Sequence, residues 1–161
     1  MMKGGNVLYI RPLEEGDIKT VREILAQGAP FVASYNNYIY WMLGKYFPST
    51  CLVAEKNGQI IGYIGALLSM EKQKIFVWQI AVNSNERGQQ IGRRLLENIM
   101  TAAKKMGIDE LEIAIDDDNI ICQCMVKKLV QDLEGTITEK EKYKDEGFRE
   151  TVYCVFIGKN Q

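Results

Sequence analysis

The stretch Ile75–Arg94, IFVWQIAVNSNERGQQIGRR, decides how the rest of the chain is read. Ile75–Val82 is rich in β-branched and aromatic residues and predicts a buried strand. Asn83–Glu86 is a polar turn. Arg87-Gly88-Gln89-Gln90-Ile91-Gly92 then opens an amphipathic helix with Ile91, Leu95, Leu96 and Ile99 on one face. A strand that feeds a glycine-containing loop into a helix leaves backbone N–H groups unpaired at the positive end of the helix dipole. Such a loop attracts phosphate oxygens. It has neither the Gly-Lys-Ser/Thr ending of a P-loop nor the three glycines of the dinucleotide fingerprint.

The same loop, preceded by Ile80-Ala81-Val82, resembles the acyl-CoA loop of the GCN5-related N-acetyltransferases (GNAT), Gln/Arg-x-x-Gly-x-Gly/Ala. Gln90 stands where that family usually has its middle glycine. The difference matters if the backbone there needs a positive φ or a very close approach to a phosphate. The opening Ile10-Arg11-Pro12 with Asp17 resembles the family's first strand and helix start. Asn119 resembles the family's Asn after the fifth strand.

With 161 residues the chain is expected to be a single domain, 1–161, with a sizeable core. Its apolar fraction of 47% and charged fraction of 25% are ordinary for a globular protein. A net charge of −1 gives no pull toward nucleic acid or anionic membrane. No apolar run approaches the roughly 20 residues of a spanning helix, and the N-terminal MMKGGNVLYIRPLEEGD lacks the apolar stretch of a signal peptide. A cytoplasmic location is expected. The four cysteines show no Cys-x-x-Cys spacing, so no metal or redox role is expected of them. Histidine is absent, which removes Ser–His and Cys–His nucleophiles and His-based metal sites. Asp116-Asp117-Asp118 reads as a polar turn rather than a metal site.

Along the chain, Val7–Arg11 predicts a strand, Glu14–Gln27 a helix, and Tyr35–Phe47 an aromatic-rich helix stopped by Pro48. Thr50–Lys56 and Gln59–Leu68 predict a hairpin around Asn57-Gly58. The Ile75–Val82 strand and Ile91–Met106 helix follow, then a strand at Leu111–Ile115, a helix at Asn119–Leu133, and strands at Thr136–Tyr143 and Glu150–Ile157. This is a mixed α/β (α+β) domain. The resemblance implies a mostly antiparallel GNAT-like central sheet with splayed fourth and fifth strands and helices on both faces.

It further implies acetyl-CoA as co-substrate, lying between the Ile75–Val82 and Leu111–Ile115 strands. Backbone groups of Ile80, Ala81 and Val82 would hold the pantetheine and polarise the thioester. The Arg87, Gly88, Gln89, Gln90, Ile91, Gly92 and Arg93 segment would take the pyrophosphate, and Asn119 would touch the cofactor. An acceptor amine with a pKa of about 10 is almost wholly protonated at neutral pH, so attack needs a base. Glu112, a charged residue in an apolar strand, is the expected catalytic base. Many relatives carry a Tyr general acid where this chain has Val126. Tyr143 or Tyr153 would have to replace it, or the thiolate leaves unaided.

Within the family, Tyr38-Ile39-Tyr40 with Thr50–Glu55, then Phe76-Val77-Trp78-Gln79, and Leu111-Glu112 with Asn119 resemble diaminobutyrate acetyltransferases. That subgroup has an acidic residue where this chain has Ala33, and a C-terminal His that this chain lacks. Tyr38, Tyr40 and Trp78 are candidates for the acceptor pocket. The expected activity is N-acetylation of a small primary amine, such as a diamino acid or polyamine, by direct attack. The alternatives are a peptide or protein amine as acceptor, or an acyl-CoA-binding module without turnover. No metal, nucleic acid or membrane partner is expected, and a homodimer is compatible with the resemblance.

Overall fold

The computed structural model describes residues 7–157, so the first six residues of the segment read for a signal peptide lie outside it. The strands are β1 (Leu8–Pro12), β2 (Cys51–Lys56), β3 (Gln59–Ser69), β4 (Lys74–Val82), β5 (Glu110–Asp116), β6 (Thr136–Asp145) and β7 (Phe148–Phe156). The helices are α1 (Ile18–Gln27), α2 (Asn37–Tyr46), α3 (Ile91–Lys105) and α4 (Ile120–Asp132). The seven strands form one sheet in the order β1-β2-β3-β4-β5-β7-β6, antiparallel throughout except for β4 against β5.

Local chemistry explains the boundaries. Asn57 and Gly58 both take positive φ (52° and 76°), as a two-residue hairpin turn requires. The first helix is shorter than its sequence pattern, because Glu15–Asp17 forms a 3-10 turn before α1. There the buried Asp17 carboxylate accepts two bonds from the Arg11 guanidinium (2.8 and 3.0 Å), tying β1 to the start of α1. Burial raises the Asp17 pKa, but the Arg11 hydrogen bonds and the Glu14 amide outweigh it and hold the carboxyl below its ordinary value. Asn36 caps α2 through the Ile39 amide.

Two cores flank the sheet. Ile91, Leu95, Leu96 and Ile99 of α3 pack with Val126 and Leu129 of α4 on one face. Val21 and Leu25 of α1 pack with Tyr40 and Leu43 of α2 on the other. Each such fully buried aliphatic side chain contributes roughly 1.5–3 kcal/mol through removal of its surface from water.

One irregularity in β4 positions everything that follows. Gln79 pairs with Gly65 and Val77 with Ala66, so Trp78 is an extra residue with no counterpart on β3. A single extra residue exchanges the faces of the strand. Before the bulge, Ile75 and Val77 face α3 and α4; beyond it, Ile80 and Val82 do so, and Gln79 and Ala81 turn toward α1 and α2. Gly65 opposite the bulge has to be glycine, because a Cβ there would run into the Tyr63 hydroxyl.

Candidate active site

The parallel pairing of β4 with β5 covers only Ile75–Val77 against Leu111–Ile113. Beyond the bulge the two strands part. On the edge that faces β5, the backbone from Trp78 onward has no sheet partner, which leaves N–H and C=O groups for a strand-like ligand. The wedge between them is lined by Trp78, Gln79 and Ile80 of β4, by Ala114 and Asp116 of β5, and by Glu150 of β7. The α1–α2 loop closes one side with Phe31, Val32, Ala33 and Tyr35, and Cys122 of α4 with Asn119, the residue that caps it, closes another. The inner space is about 40 Å³, and a separate outer cavity of about 720 Å³ shares Phe31, Asp116 and Phe148 with it.

The start of α3 lies over the same end of β4. Its hydrogen-bond ladder begins with Arg94 N–H to the Gln90 carbonyl (3.0 Å), so the amides of Ile91, Gly92 and Arg93 have no partner within the helix. Gly88 takes φ +80°, which explains its glycine. Gly92 is different: a Cβ there would only touch Ile80, Val82 and Met125 at an ordinary 3.8 Å. The fold does not require that glycine, and its effect is to leave the helix start bare. Gln90 holds φ +61°, ψ 24°, the left-handed conformation that its glycine-like position in the motif foreshadows. An L-residue there carries a strain of roughly 1–2 kcal/mol.

The side chains of the loop are committed elsewhere. Arg93 pairs with Glu97 of its own helix (2.8 Å) and bridges to α4 through Asp132 (2.7 Å), so only its amide faces the loop. Gln89 bonds Glu86, which is also paired with Lys56. Arg87 reaches back to the Gln27 carbonyl (3.4 Å) at the end of α1. Asn119 uses its Oδ1 to cap α4 through the Cys122 amide (3.2 Å), which leaves its amide N–H groups for the wedge.

Three expected site residues lie away from the wedge. Glu112 pairs with Phe76 in the part of the sheet where β4 and β5 are still together. Its carboxylate is bonded to Lys74 (3.2 Å) and to Lys140. Burial raises its pKa, but those two lysines outweigh it and hold the carboxyl below its ordinary value. An ion-paired, weakened carboxylate on the closed side of the strands is badly placed to take a proton at the parted end. Tyr38 is 67% exposed on the outside of α2, against Trp41. Tyr40 is fully buried, and its hydroxyl donates to Gln79 Oε1 (3.3 Å). Of the three aromatic candidates Trp78 alone lines the wedge, its ring 5.3 Å from that of Tyr35. Tyr153 packs in the core beside α4, and Tyr143 is exposed on β6.

Sequence reasoning passed over Glu150 as a base. It stands opposite Asp116 in the β5–β7 register. Burial pushes its pKa up, with the negative charges of Asp116 and Asp117 adding to the shift. Asp116 and Glu150 are the charged residues among those that line the wedge. Burial also pushes the Cys122 thiol up to about 11, so it is neutral at pH 7 and no nucleophile. Asp116–Asp118 forms the expected turn before α4, with the Asp118 amide on Asp116 Oδ1 (2.9 Å). Among the described residues no group of three or more His, Cys, Asp or Glu is placed to hold a metal ion.

Residues 18–129 match the acetyltransferase (GNAT) family. The chain belongs to that family. Over 114 residues the chain is 32% identical to the L-2,4-diaminobutyric acid acetyltransferase of Marinococcus halophilus, 70% of this chain and 66% of that protein. The namesake from Vibrio cholerae is 27% identical over 155 residues, 93% of this chain and 88% of that protein. The diaminobutyrate acetyltransferase EctA of Paenibacillus lautus, solved with L-2,4-diaminobutyric acid and coenzyme A, superposes with a TM-score of 0.85 at 26% identity, covering 95% of this chain and 96% of that one. The chain spans about three fifths to two thirds of the length of several curated relatives that it matches (66%, 59% and 60%). No helix among the described residues is long and apolar enough to cross a membrane.

Proposed function

We propose that this protein is an acetyl-CoA-dependent N-acetyltransferase that acts on a short diamine or diamino acid, with Glu150 as the general base. The observation that carries the reading is Glu150, a carboxylate of raised pKa in the wedge where β4 and β5 part. Acetyl-CoA would supply the thioester carbonyl. The amides from Gly88 to Arg93 suit a pyrophosphate, and the unpartnered edge of β4 at Ile80–Val82 suits the extended amide-bearing arm. An N–H of Ile80 or Ala81 is the proposed donor to the charge that grows on the carbonyl oxygen.

Glu150 accepts the proton of the incoming ammonium, directly or through one water, and frees the lone pair for attack. The C–S bond then breaks, and the CoA thiolate leaves and takes up the second proton shed by the nitrogen. A carboxyl of raised pKa is a better base than an ordinary one. A diamine keeps a second positive charge while its first amine reacts. Asp116, across the strand pair from Glu150, is the partner for that charge. Lys144 and Arg149 on the outer cavity offer cations to an acceptor's own carboxylate. Support for the diamino acid comes also from the relatives of that name, although this chain has Ala33 in place of an acidic residue and no histidine.

CoA release, measured with acetyl-CoA and a panel of diaminobutyrate, longer diamines, amino acids and short peptides, tests the reading. Fastest release with a short diamino acid or diamine is expected. Bound acetyl-CoA with no release for any amine would overturn it in favour of a binding module. Release confined to peptides would overturn the acceptor class.

A further inference from the structure

The α1–α2 loop, residues 28–36, makes one wall of the wedge and has no regular secondary structure of its own. Its first turn is held by local bonds, from Phe31 N–H (3.0 Å) and Val32 N–H (3.3 Å) to the Gly28 carbonyl. Farther on, the loop is held from outside. Gln79 Nε2 donates to the Ala33 carbonyl (2.8 Å), and the Tyr40 hydroxyl donates to Gln79 Oε1 (3.3 Å). The Tyr35 amide donates in turn to the Tyr40 hydroxyl (3.2 Å). Ala33, Gln79, Tyr40 and Tyr35 thus form a closed relay that pinches residues 33–35 against the sheet. Gln79 is 4% exposed and Tyr40 is fully buried, so water cannot readily replace either group.

Gln79 reaches the loop because of the bulge. If β4 alternated regularly through Trp78, with no bulge, the Gln79 side chain would point toward α3 and α4 instead. The same bulge residue carries the ring that packs on Tyr35. The loop is therefore registered to the very segment of β4 where the strands part.

We propose that Gln79 is a positioning residue for the acceptor: its buried amide holds loop 28–36 across the wedge and so sets where the amine lies relative to Glu150. This rests on the acetyltransferase reading above. Gln79 does not touch reacting atoms; it acts through Ala33 and Tyr35. Removing the amide leaves the Ala33 carbonyl without its donor and the Tyr40 O–H without its acceptor, and the wall loosens.

The test uses Gln79→Met, which keeps the shape and deletes both bonds, and Tyr40→Phe, which deletes the shared hydroxyl. Both are expected to raise the KM for the amine about tenfold, with kcat at saturating amine and the affinity for acetyl-CoA within about twofold of the parent. The double variant should be little worse than the worse single one, because both break one relay. Amide hydrogen exchange over residues 31–36 should speed up about tenfold or more, with α1 and α2 unchanged. A lower melting temperature with an unchanged amine KM and unchanged exchange would mean that Gln79 is an ordinary core residue, and would overturn the proposal. If the parent protein turned over no amine, the acetyltransferase reading would fall. The exchange arm would still decide whether Gln79 holds the loop.

Discussion

Glu150 on β7 and Asp116 on β5 stand opposite each other in register, at the place where the wedge between β4 and β5 opens outward. Burial disfavours ionisation of Glu150, and the negative charge of Asp116 acts in the same direction. As a base Glu150 must be ionised, so turnover is expected to fall as the pH drops through its raised pKa. That acid limb lies above the range of an ordinary glutamate. Asp116→Asn removes one source of the shift and should move the limb to lower pH, as a pH profile of kcat/KM would reveal.

Glu150→Gln is expected to lower kcat by roughly 10²–10³, the usual range for a positioned acid–base group, and to leave acetyl-CoA binding intact. The deficit should shrink at high pH, where more amine is already neutral. The stability change has the opposite sign. A carboxyl whose folded pKa is raised contributes stability below its unfolded value and loses it as the pH rises through the folded one. The Gln variant should therefore melt at or above the parent temperature at pH 7. Unchanged turnover from pH 6 to 10 would remove Glu150 from the mechanism.

Glu112→Gln makes the contrasting case. The folded pKa of Glu112 is lowered, so its contribution is present above the unfolded value and is lost as the pH falls through the folded one. The variant leaves Lys74 and Lys140 without their shared carboxylate and should lose about 1 kcal/mol or less at neutral pH, in line with partly exposed ion pairs. Turnover should drop by less than about tenfold. Urea melts beside steady-state rates separate the two effects.

Gln90→Gly relieves a left-handed residue at the start of α3. A gain of about 1 kcal/mol is expected, a few degrees in melting temperature, partly offset by the extra freedom of glycine in the unfolded chain. Acetyl-CoA affinity should stay within about tenfold, because the loop offers backbone groups rather than the Gln side chain. Differential scanning calorimetry with and without acetyl-CoA measures both.

Gly92→Asp should abolish the thermal shift caused by acetyl-CoA while the protein stays folded. The space around Gly92 admits a Cβ at 3.8 Å, so the fold tolerates the change, whereas a carboxylate at a bare helix start repels a pyrophosphate. A retained shift would remove the Gly88–Arg93 loop as the cofactor site.

Local chemistry carried the elements and their order. The Asn57-Gly58 turn, the apolar face of Ile91, Leu95, Leu96 and Ile99, and the strand–loop–helix of Ile75–Arg94 each follow from residues close together in the chain. Their conformations depend on backbone preference and burial, which a short window records. Which carboxylate serves the wedge could not be read in that way. Glu112 and Glu150 are both glutamates within strands, and their difference lies in neighbours distant in sequence: Lys74 and Lys140 for one, Asp116 and Asp117 for the other. The role of Gln79 was equally hidden. One unpaired residue at Trp78 turned its amide from one face of the sheet to the other, and only the pairing of β3 with β4 decides where that residue falls.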